Sequence, residues 1–569
     1  ATKNLQDQLF FNDIPKIREA LKISVKVNIL KGRGNYICKL RMENTIQEGM
    51  FFNKEDAQHL HLIKAFSDNT DSGEVSEISE IPETSTIWPM VTSTKENCLG
   101  QDCEFYKECF LVKARKEALE SEVLIVNHHL FFADFVLKDE ELSEILPKAN
   151  TIIFDEAHQV PLVASFFLGQ FISSSQISNL IQDCQQGLKK YPDTIKVLDT
   201  LSKDFQEIVF ELKKIVSPFP ARLNINNLKN YENFEKTYNS LIEKLELLGI
   251  TLSKHSEENA ELQKLFERSS ELNIRFSSWL KKDNQNNIYW LEVFARTVQF
   301  NETPISISEQ FNKFQEKSES AWIFTSATLS INGSFDHFVK LLGLEKAMTQ
   351  YLQSPFNYSE NAFLYVPKEI PDSKDELFNL VLVKKALPLL KASKGRAFVL
   401  ATSLKSMEEI GALLKDELKK NEINYPVITQ GEGPKSDLLQ QFKKHGNAIL
   451  IGSLSFWEGI DVRGRALSLV IIDKLPFQSP GDPVFESKIK LLSEEGINAF
   501  MSMQLPEAII RLKQGVGRLI RDDHDKGVMV ICDKRIIEKS YGIKIWKSLP
   551  PFKRTRNESA VINFLEELE

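Results

Sequence analysis

Short apolar runs recur along the chain, and each ends in a small polar or acidic cluster. Residues 151–154 precede Asp155, residues 322–324 precede Thr325, and residues 469–472 precede Asp473. Buried strands that alternate with helical segments are typical of parallel, doubly wound sheets. The pattern therefore predicts an α/β fold whose functional residues lie at the carboxyl ends of strands.

Two stretches break this rhythm. Between residues 166 and 320, apolar side chains recur at spacings of three and four, which predicts a mostly helical insertion; the clearest series is Phe234, Tyr238, Leu241, Leu245 and Leu248. Residues 33–114 hold four cysteines and an acidic, Ser/Thr-rich segment at 67–94, which we expect to be a mobile loop. Both insertions should interrupt a first α/β domain, and a second should follow.

Composition narrows the function only slightly. A chain of 569 residues is expected to form roughly three or four domains. The net charge of −8 argues against a protein coated in basic residues for duplex DNA, but single-strand binding needs only a local positive groove. No apolar stretch approaches the length of a membrane span, so we expect a cytoplasmic protein without a membrane partner.

Asp155 and Glu156 lie together where a predicted strand ends, and Ala157 and His158 follow them. An isolated acidic pair would be no more than a solvated turn. After a buried run, the pattern suits a magnesium-binding Asp, a water-polarising Glu and a His that couples to the next motif. The small hydroxyl residues of Ser326-Ala327-Thr328 could bring a hydroxyl to His158.

The segment 514–521, Gln-Gly-Val-Gly-Arg-Leu-Ile-Arg, is more specific. Arginines three residues apart should project from one helical face, and arginine is suited to phosphate recognition in a transition state. We predict that Gln514, Arg518 and Arg521 act in catalysis. A tight loop at 457–461 and the helix glycine should line the nucleotide side of the same cleft through Glu458, Gly459, Asp461 and Gly517.

Four of the six cysteines precede the acidic motif: Cys38, Cys98, Cys103 and Cys109. They could bind zinc, bind an iron–sulfur cluster, or be unrelated core thiols. Structural zinc sites usually use paired Cys-x2-4-Cys ligands. One distant cysteine followed by three close ones fits four thiolates around a [4Fe-4S] cluster better, although spacing alone leaves zinc as a competitor.

The order of these motifs resembles the iron–sulfur superfamily 2 DNA helicases of the XPD type, and the bacterial DinG and YoaA branch most of all. Further agreement comes from residues 32–38, from Asn127-His128-His129-Leu130, and from Lys474-Leu475-Pro476-Phe477. The resemblance extends over essentially the whole chain.

The resemblance implies two RecA-like parallel-sheet motor domains, the first interrupted by an iron–sulfur domain and a mostly helical arch domain. We expect motor domain 1 at 1–32, 115–165 and 321–335, the iron–sulfur domain at 33–114, the arch at 166–320, and motor domain 2 at 336–569.

The resemblance also implies an ATP-dependent 5′-to-3′ DNA helicase in DNA repair or replication, with ATP as substrate. Asp155 would hold Mg2+, and the four cysteines would ligate the [4Fe-4S] cluster. Single-stranded and forked DNA would be the partners of a nucleoid-associated monomer, together with single-strand-binding protein or clamp-loader components.

One departure from the family pattern concerns the phosphate loop. Residues 431–436 contain Gly, Lys and Ser, but the glycine spacing fails and Pro434 precedes the lysine. Residues 2–8 resemble the segment that follows the loop in the family, so we expect a preceding segment to carry it. The chain as written should then hydrolyse ATP poorly. Two alternatives stay open: a translocase without unwinding, and a non-catalytic DNA-binding scaffold.

Overall fold

The computed structural model of the chain describes residues 3–49, 54–83, 85–139, 145–216, 221–228, 230–453, 456, 462 and 464–568. The predicted fold class is confirmed: parallel sheets lie at both ends of the chain, with two other units inserted between them.

The second α/β domain is built on a seven-stranded parallel sheet in the order β11-β12-β10-β13-β14-β9-β15. Its strands are β9 Ala362–Tyr365, β10 Ala397–Ala401, β11 Val427–Thr429, β12 Ile449–Ser453, β13 Leu469–Ile472, β14 Gly527–Ile531 and β15 Lys553–Thr555. The central strands are buried at every position, as expected for a sheet covered on both faces.

Helices cover both faces of this sheet. Its helices are α15 Tyr358–Asn361, α16 Phe378–Ala392, α17 Leu404–Lys420, α18 Lys435–His445, α19 Pro483–Glu494, α20 Leu505–Val516, α21 Arg535–Glu538, α22 Gly542–Ser548 and α23 Glu558–Glu566. Helix α14 Asp336–Leu342 instead packs into the core of the first α/β domain through Phe338 and Leu342. One apolar core lies under α16, α17 and α23, and another lies under α18, α20 and α22.

The first α/β domain contains two separate parallel pairs, β1 Val27–Ile29 with β2 Val123–Ile125, and β3 Thr151–Phe154 with β8 Ala321–Phe324. Its helices are α1 Lys3–Gln8, α2 Ile14–Leu21, α7 His128–Asp139, α8 Val160–Leu168 and α13 Ser308–Lys317. An aromatic cluster packs behind β3 and β8, with Phe132, Phe154, Phe311 and Trp322 at its centre.

The arch combines four helices with an antiparallel sheet. The helices are α9 Ser174–Gly187, α10 Pro192–Val216, α11 Tyr231–Ser253 and α12 Ala260–Lys281, and the five α11 positions of the predicted series are fully buried. The sheet, in the order β4-β7-β6-β5, was not foreseen; its strands are β4 Gln170–Ser173, β5 Arg222–Asn224, β6 Asn287–Val293 and β7 Val298–Pro304.

The cysteine domain comprises α3 Lys39–Glu48, α4 Lys54–Ser67, α5 Trp88–Val91 and α6 Phe110–Leu119 with short connections. The prediction of a mobile loop at 67–94 is wrong for the described residues of that segment. Ile78, Ile81, Ile87 and Val91 are buried in the domain core, because isolated isoleucines in a polar segment still pack inward. No helix in the described part of the chain combines the length and apolar character that a bilayer crossing requires.

Candidate active site

The acidic pair lies at the tip of β3, beside the tip of β8. Phe154 is in register with Phe324, so the residues after each strand face one another. The Thr325 backbone N–H donates to the Phe154 carbonyl at 2.9 Å, and the Ala157 N–H donates to the Thr325 carbonyl at 2.9 Å. This ladder holds Asp155 and Glu156 opposite Ser326.

A hydrogen-bonded relay joins three side chains at this tip. The His158 Nδ1 atom lies 3.0 Å from Ser326 Oγ and 3.3 Å from Glu156 Oε2. Ser326 Oγ in turn donates to Glu156 Oε2 at 2.9 Å. The hydrogen bond from His158, with help from Ser326 and the positive charge of Arg518, lowers the pKa of the Glu156 carboxyl below its ordinary value.

Glu156 is in the left-handed backbone region, with φ of 49°. Residues other than glycine rarely adopt this conformation, and such strain persists only where the surrounding structure holds it. Here the Ala157–Thr325 hydrogen bond and the relay hold it. The Glu156 carboxylate is held against His158, which itself contacts Gln514 of the second α/β domain.

The two α/β domains meet across this tip. The Gln514 side-chain amide on α20 contacts His158 Nε2. With that amide donating, Nε2 is the acceptor and the proton sits on Nδ1, facing Ser326 and Glu156. Lys513 Nζ donates to the Ser330 carbonyl at 2.9 Å, and this lysine contact was not predicted. Gln514 and His158 are 356 residues apart in the sequence, and this contact brings them together.

The two arginines do not share a helical face, contrary to our prediction. Helix α20 ends at Val516 with Gly517 as its cap; Arg518 lies in the turn that follows, and Arg521 lies in the irregular segment beyond it. Two glycines within three residues disfavour helix continuation. The Asp525 carboxylate accepts the backbone N–H groups of Arg521 and Asp522 at 2.8 and 2.9 Å, which orders this turn.

The positive charge of Arg518 nevertheless acts on Glu156, where it is among the influences that lower the pKa of that carboxyl. Both arginines are partly buried rather than on the outer surface. The predicted nucleotide loop at 457–461, with Trp457, Glu458, Gly459 and Asp461, lies outside the described residues.

The four predicted ligand cysteines share one region of the cysteine domain. Burial raises the pKa of the Cys38 thiol, and the Cys103 and Cys109 thiols raise it further. Burial likewise raises the pKa of Cys103, with Cys109 and Cys98 contributing. None of the four forms a disulfide bond, and within the described residues no group of three or more His, Cys, Asp or Glu side chains is arranged to hold a metal ion.

The cysteine surroundings provide hydrogen-bond donors for thiolates. The backbone N–H of Arg41 donates a hydrogen bond to the Cys38 sulfur, and the backbone N–H of Phe105 donates one to the Cys103 sulfur. Each of these bonds lowers the pKa of the thiol that accepts it. Cys109 directly precedes α6. The ring of the next residue, Phe110, packs against Gly73 (φ 63°), where a Cβ on residue 73 would lie 2.2 Å from that ring. The donor set therefore fits thiolate ligation, whereas Cys184 and Cys532 are buried elsewhere, as predicted.

Two buried aspartates at strand tips of the second domain were not among the predicted site residues. Asp473 follows β13 and accepts hydrogen bonds from the Thr402 N–H at 3.0 Å and the Ser406 hydroxyl at 3.1 Å. Asp533 follows β14 and accepts the Leu475 N–H at 2.9 Å and the Arg535 guanidinium at 2.6 Å. The signal was present in the sequence, since an acidic residue closes each apolar run.

The arrangement at the β3 tip suits metal-assisted attack of water on a phosphoryl group. Asp155 has Thr325 Oγ1 3.5 Å from its Oδ1 and could bind Mg2+. The ionised Glu156 could orient a water molecule, and the guanidinium of Arg518 could stabilise charge on a phosphate.

Residues 386–552 match the sequence profile of a helicase C-terminal domain. The chain is 40% identical over 570 residues to the ATP-dependent DNA helicase YoaA of Haemophilus influenzae, in an alignment that covers 99% of this chain and 88% of the relative. The YoaA protein of Escherichia coli gives the same identity and coverage. The ATP-dependent helicase DinG of Mycobacterium tuberculosis is 27% identical, with 99% of this chain and 86% of the relative covered.

Among solved structures, the fold is similar to one titled XPD_Helicase. The TM-score is 0.55 at 18% identity, covering 95% of this chain and 89% of that chain. At this identity the likeness concerns the fold alone.

Proposed function

This chain belongs to the family of the YoaA and DinG ATP-dependent DNA helicases, and from that premise we propose that it unwinds forked DNA in the 5′-to-3′ direction during repair or replication. The enzyme is a helicase and ATP hydrolase by family. The observation that carries the mechanism is the approach of Gln514 and Arg518, from the second α/β domain, to His158 and Glu156 of the first.

In the proposed reaction, Asp155 would hold Mg2+, which would supply positive charge to the ATP phosphates, and Glu156 orients the attacking water. The pKa of the Glu156 carboxyl is lowered, so Glu156 is ionised at neutral pH and can accept a hydrogen bond from that water. Arg518 and Arg521 stabilise the developing phosphate charge, which is worth most in a site closed to solvent.

His158 links this chemistry to domain movement. Gln514 contacts one ring nitrogen, and the other ring nitrogen faces Ser326 and Glu156. Closing or opening the cleft therefore changes the hydrogen bonding of the carboxylate that orients the water. Alternating closure and reopening would move a single strand in one direction.

Full-length protein on tailed duplexes tests the polarity. A duplex with a 5′ single-stranded tail should be unwound in the presence of ATP and Mg2+, and its 3′-tailed counterpart should not. A Glu156→Gln variant should bind both DNAs and unwind neither. Unwinding from the 3′ tail would refute the polarity. DNA-stimulated ATP hydrolysis without strand separation would instead identify a translocase.

We further propose that Cys38, Cys98, Cys103 and Cys109 hold a [4Fe-4S] cluster. The backbone donors to Cys38 and Cys103 and the proximity of the four thiols support this, because thiolates held together need a compensating cation. Such a cluster would supply a rigid cross-link within the cysteine domain.

Iron, acid-labile sulfide and zinc contents test the cluster. Purified protein should contain about four iron and four sulfide per chain, and Cys103→Ser should lose both while Cys184→Ser keeps them. Stoichiometric zinc without sulfide would overturn the assignment and establish the zinc alternative.

We also propose a monomer in the bacterial cytoplasm, associated with the nucleoid through single-stranded and forked DNA. Single-strand-binding protein or clamp-loader components are the proposed protein partners. Light scattering of the purified protein would test its mass. Pull-down with each partner, with and without DNA, would separate direct contacts from contacts bridged by DNA.

A further inference from the structure

The arch has its covalent roots in the first α/β domain. Strand β4 follows α8 directly, and β7 leads back to α13. In the sheet order β4-β7-β6-β5, the rooted strands lie at one side and β5 forms the opposite edge. The rooted side has a further tie, because Gln176 Nε2 on α9 donates to Glu96 Oε1 of the cysteine domain at 2.7 Å.

The opposite edge contacts the second α/β domain. Three polar side chains at and after β5 meet three side chains at the start of α19, which we term the arch latch. The pairs are Arg222 Nη1 with Asp482 Oδ2 at 2.9 Å, Asn224 Nδ2 with Ser487 Oγ at 2.9 Å, and Asn227 Nδ2 with Glu486 Oε2 at 3.2 Å. The arch sheet therefore spans from one α/β domain to the other.

The two charged groups of the latch are held in place by their own domains. Arg222 Nε donates to Glu292 Oε1 at 3.0 Å, and its guanidinium lies 5.0 Å from the Trp290 ring centroid. Asp482 uses its other oxygen to cap α19, accepting the Phe485 N–H at 2.9 Å. The contact thus joins two preorganised partners.

The latch is a polar attachment of the arch, and its cation is partly exposed. The arch core and the second-domain core are each apolar and buried, whereas the Arg222 side chain is 48% exposed. Exposed ion pairs contribute little to stability, and the root is covalent. When the two α/β domains move relative to each other, the polar end of the sheet must give way first.

The latch and the nucleotide side of the second domain are joined by α20. Arg511 Nη2 on this helix donates to Gln478 Oε1 at 3.4 Å, in the segment that leads to Asp482. The same helix carries Lys513 and Gln514, which contact the first domain. A displacement of α20 that separates Gln514 from His158 would therefore also move the start of α19.

We propose that the arch latch is a releasable contact that holds the arch to the second α/β domain in the closed arrangement and opens when the cleft reopens after ATP hydrolysis. The inference rests on the proposed motor function for its driving force. The latch as a contact between domains does not depend on helicase activity.

Distance measurements between the arch and the second domain test this inference. Spin labels would be attached through ketone-bearing residues at exposed positions 207 on α10 and 419 on α17, leaving the native cysteines untouched. The full-length parent protein without nucleotide should give a distribution that contains a longer distance beside the latched one. Addition of a nonhydrolysable ATP analogue with Mg2+ should remove the longer distance and leave one narrow distribution.

Two latch variants sharpen the test. Asp482→Asn keeps the helix cap but removes the charge, and Arg222→Glu reverses the partner. Each should raise the ratio of open to closed populations roughly two- to fivefold without nucleotide, as expected for one half-exposed ion pair. Lys490→Gln, on the exposed face of α19, is the matched control and should leave the distribution unchanged.

Unchanged distances in both latch variants would overturn the latch, as would a parent distribution that does not respond to the analogue. A nucleotide-dependent distance change in a protein that fails to unwind DNA would refute the helicase mechanism and leave the latch standing. Normal unwinding, combined with a distance between positions 207 and 419 that does not change with nucleotide, would support the helicase mechanism and refute the latch.

Discussion

The two α/β domains use the same strand-tip arrangement on very different sheets. In the second domain, all four residues of β13 are buried, and six other strands continue the sheet. In the first domain, Ile153 on β3 and Ile323 on β8 are 65% and 44% exposed, and each parallel pair stands separately. The same sequence pattern, an apolar run closed by a polar cluster, therefore places side chains at a strand tip in both domains.

The chemistry divides in the same way. The first domain supplies the acidic groups Asp155 and Glu156 together with His158. The second domain supplies Gln514, Arg518 and Arg521, which lie next to residues of its own apolar core. We infer that the second domain moves as a rigid body, because its sheet is packed on both faces, and that the first presents carboxylates to it.

The largest expected effect tests this division at Glu156. Replacing Glu156 with Gln keeps the shape but removes the carboxylate that would orient water. ATP turnover of the full-length protein on single-stranded DNA should fall by about a thousandfold, within the range for loss of a general base. Single-strand binding should stay unchanged. Glu316→Gln, at an exposed position paired with Lys346, is the control.

A turnover loss below tenfold in Glu156→Gln would remove Glu156 from the reaction. Loss of DNA binding together with turnover would point instead to a folding defect in the first domain.

The contrast between the sheets can be measured with a matched pair of substitutions. Ile471→Ala on β13 removes a fully buried side chain, and Ile153→Ala removes a largely exposed one. The first should lower the free energy of unfolding by about 2–5 kcal/mol, and the second by about 0.5 kcal/mol or less. Urea titration followed by circular dichroism measures both. Equal losses would show that β3 is covered in solution.

The strand tips were predictable because their signal is local. An apolar run followed by a polar cluster occurs at Asp155, Thr325 and Asp473, and the structure places a strand before each. The buried α11 series was predictable for the same reason, since helical periodicity is set within a few turns.

Features that depend on pairing between distant segments were not predictable. The arch sheet pairs Arg222 with Glu292, and nothing in either short segment announces the other. The end of α20 was not predicted, because the spacing of Arg518 and Arg521 was taken to indicate a helix, although the glycines at 515 and 517 disfavour one. The latch uses asparagines and a serine, residue types that are common on any surface.

The buried Asp473 gives a pH-dependent prediction specific to the second domain. Burial raises its pKa to about 6 from an ordinary 3.8. The folded state therefore binds this proton more tightly than the unfolded state between these values. The contribution of Asp473 to stability should rise as pH falls through 6 toward 4, by about 3 kcal/mol in total, and about half should be present at pH 5.

Urea titrations of the parent and Asp473→Asn at pH 7.5 and pH 5 measure this effect. The parent should gain stability relative to the variant at the lower pH, because Asn cannot take up the proton. Asp416→Asn, at an exposed position on α17, should run parallel to the parent. Parallel behaviour of Asp473→Asn would show that its hydrogen bonds keep the carboxyl at an ordinary pKa.

The smallest expected effect concerns the contact that joins the two domains. Gln514→Ala removes a side-chain hydrogen bond to His158 but leaves Glu156, Ser326 and the arginines in place. One such bond contributes about 1 kcal/mol, so the closed arrangement should become roughly fivefold less populated. The KM for ATP should rise by that factor, because only the closed arrangement brings both domains to the nucleotide.

The maximal rate separates this coupling role from a direct catalytic one. At saturating ATP, closure is driven to completion, so kcat of Gln514→Ala should stay within about twofold of the parent. A large fall in kcat with unchanged KM would instead place Gln514 in contact with the reacting phosphate. Gln440→Ala, on an exposed face of α18, should change neither constant. A rise in KM alone would thus assign Gln514 to closure of the cleft and not to the chemical step.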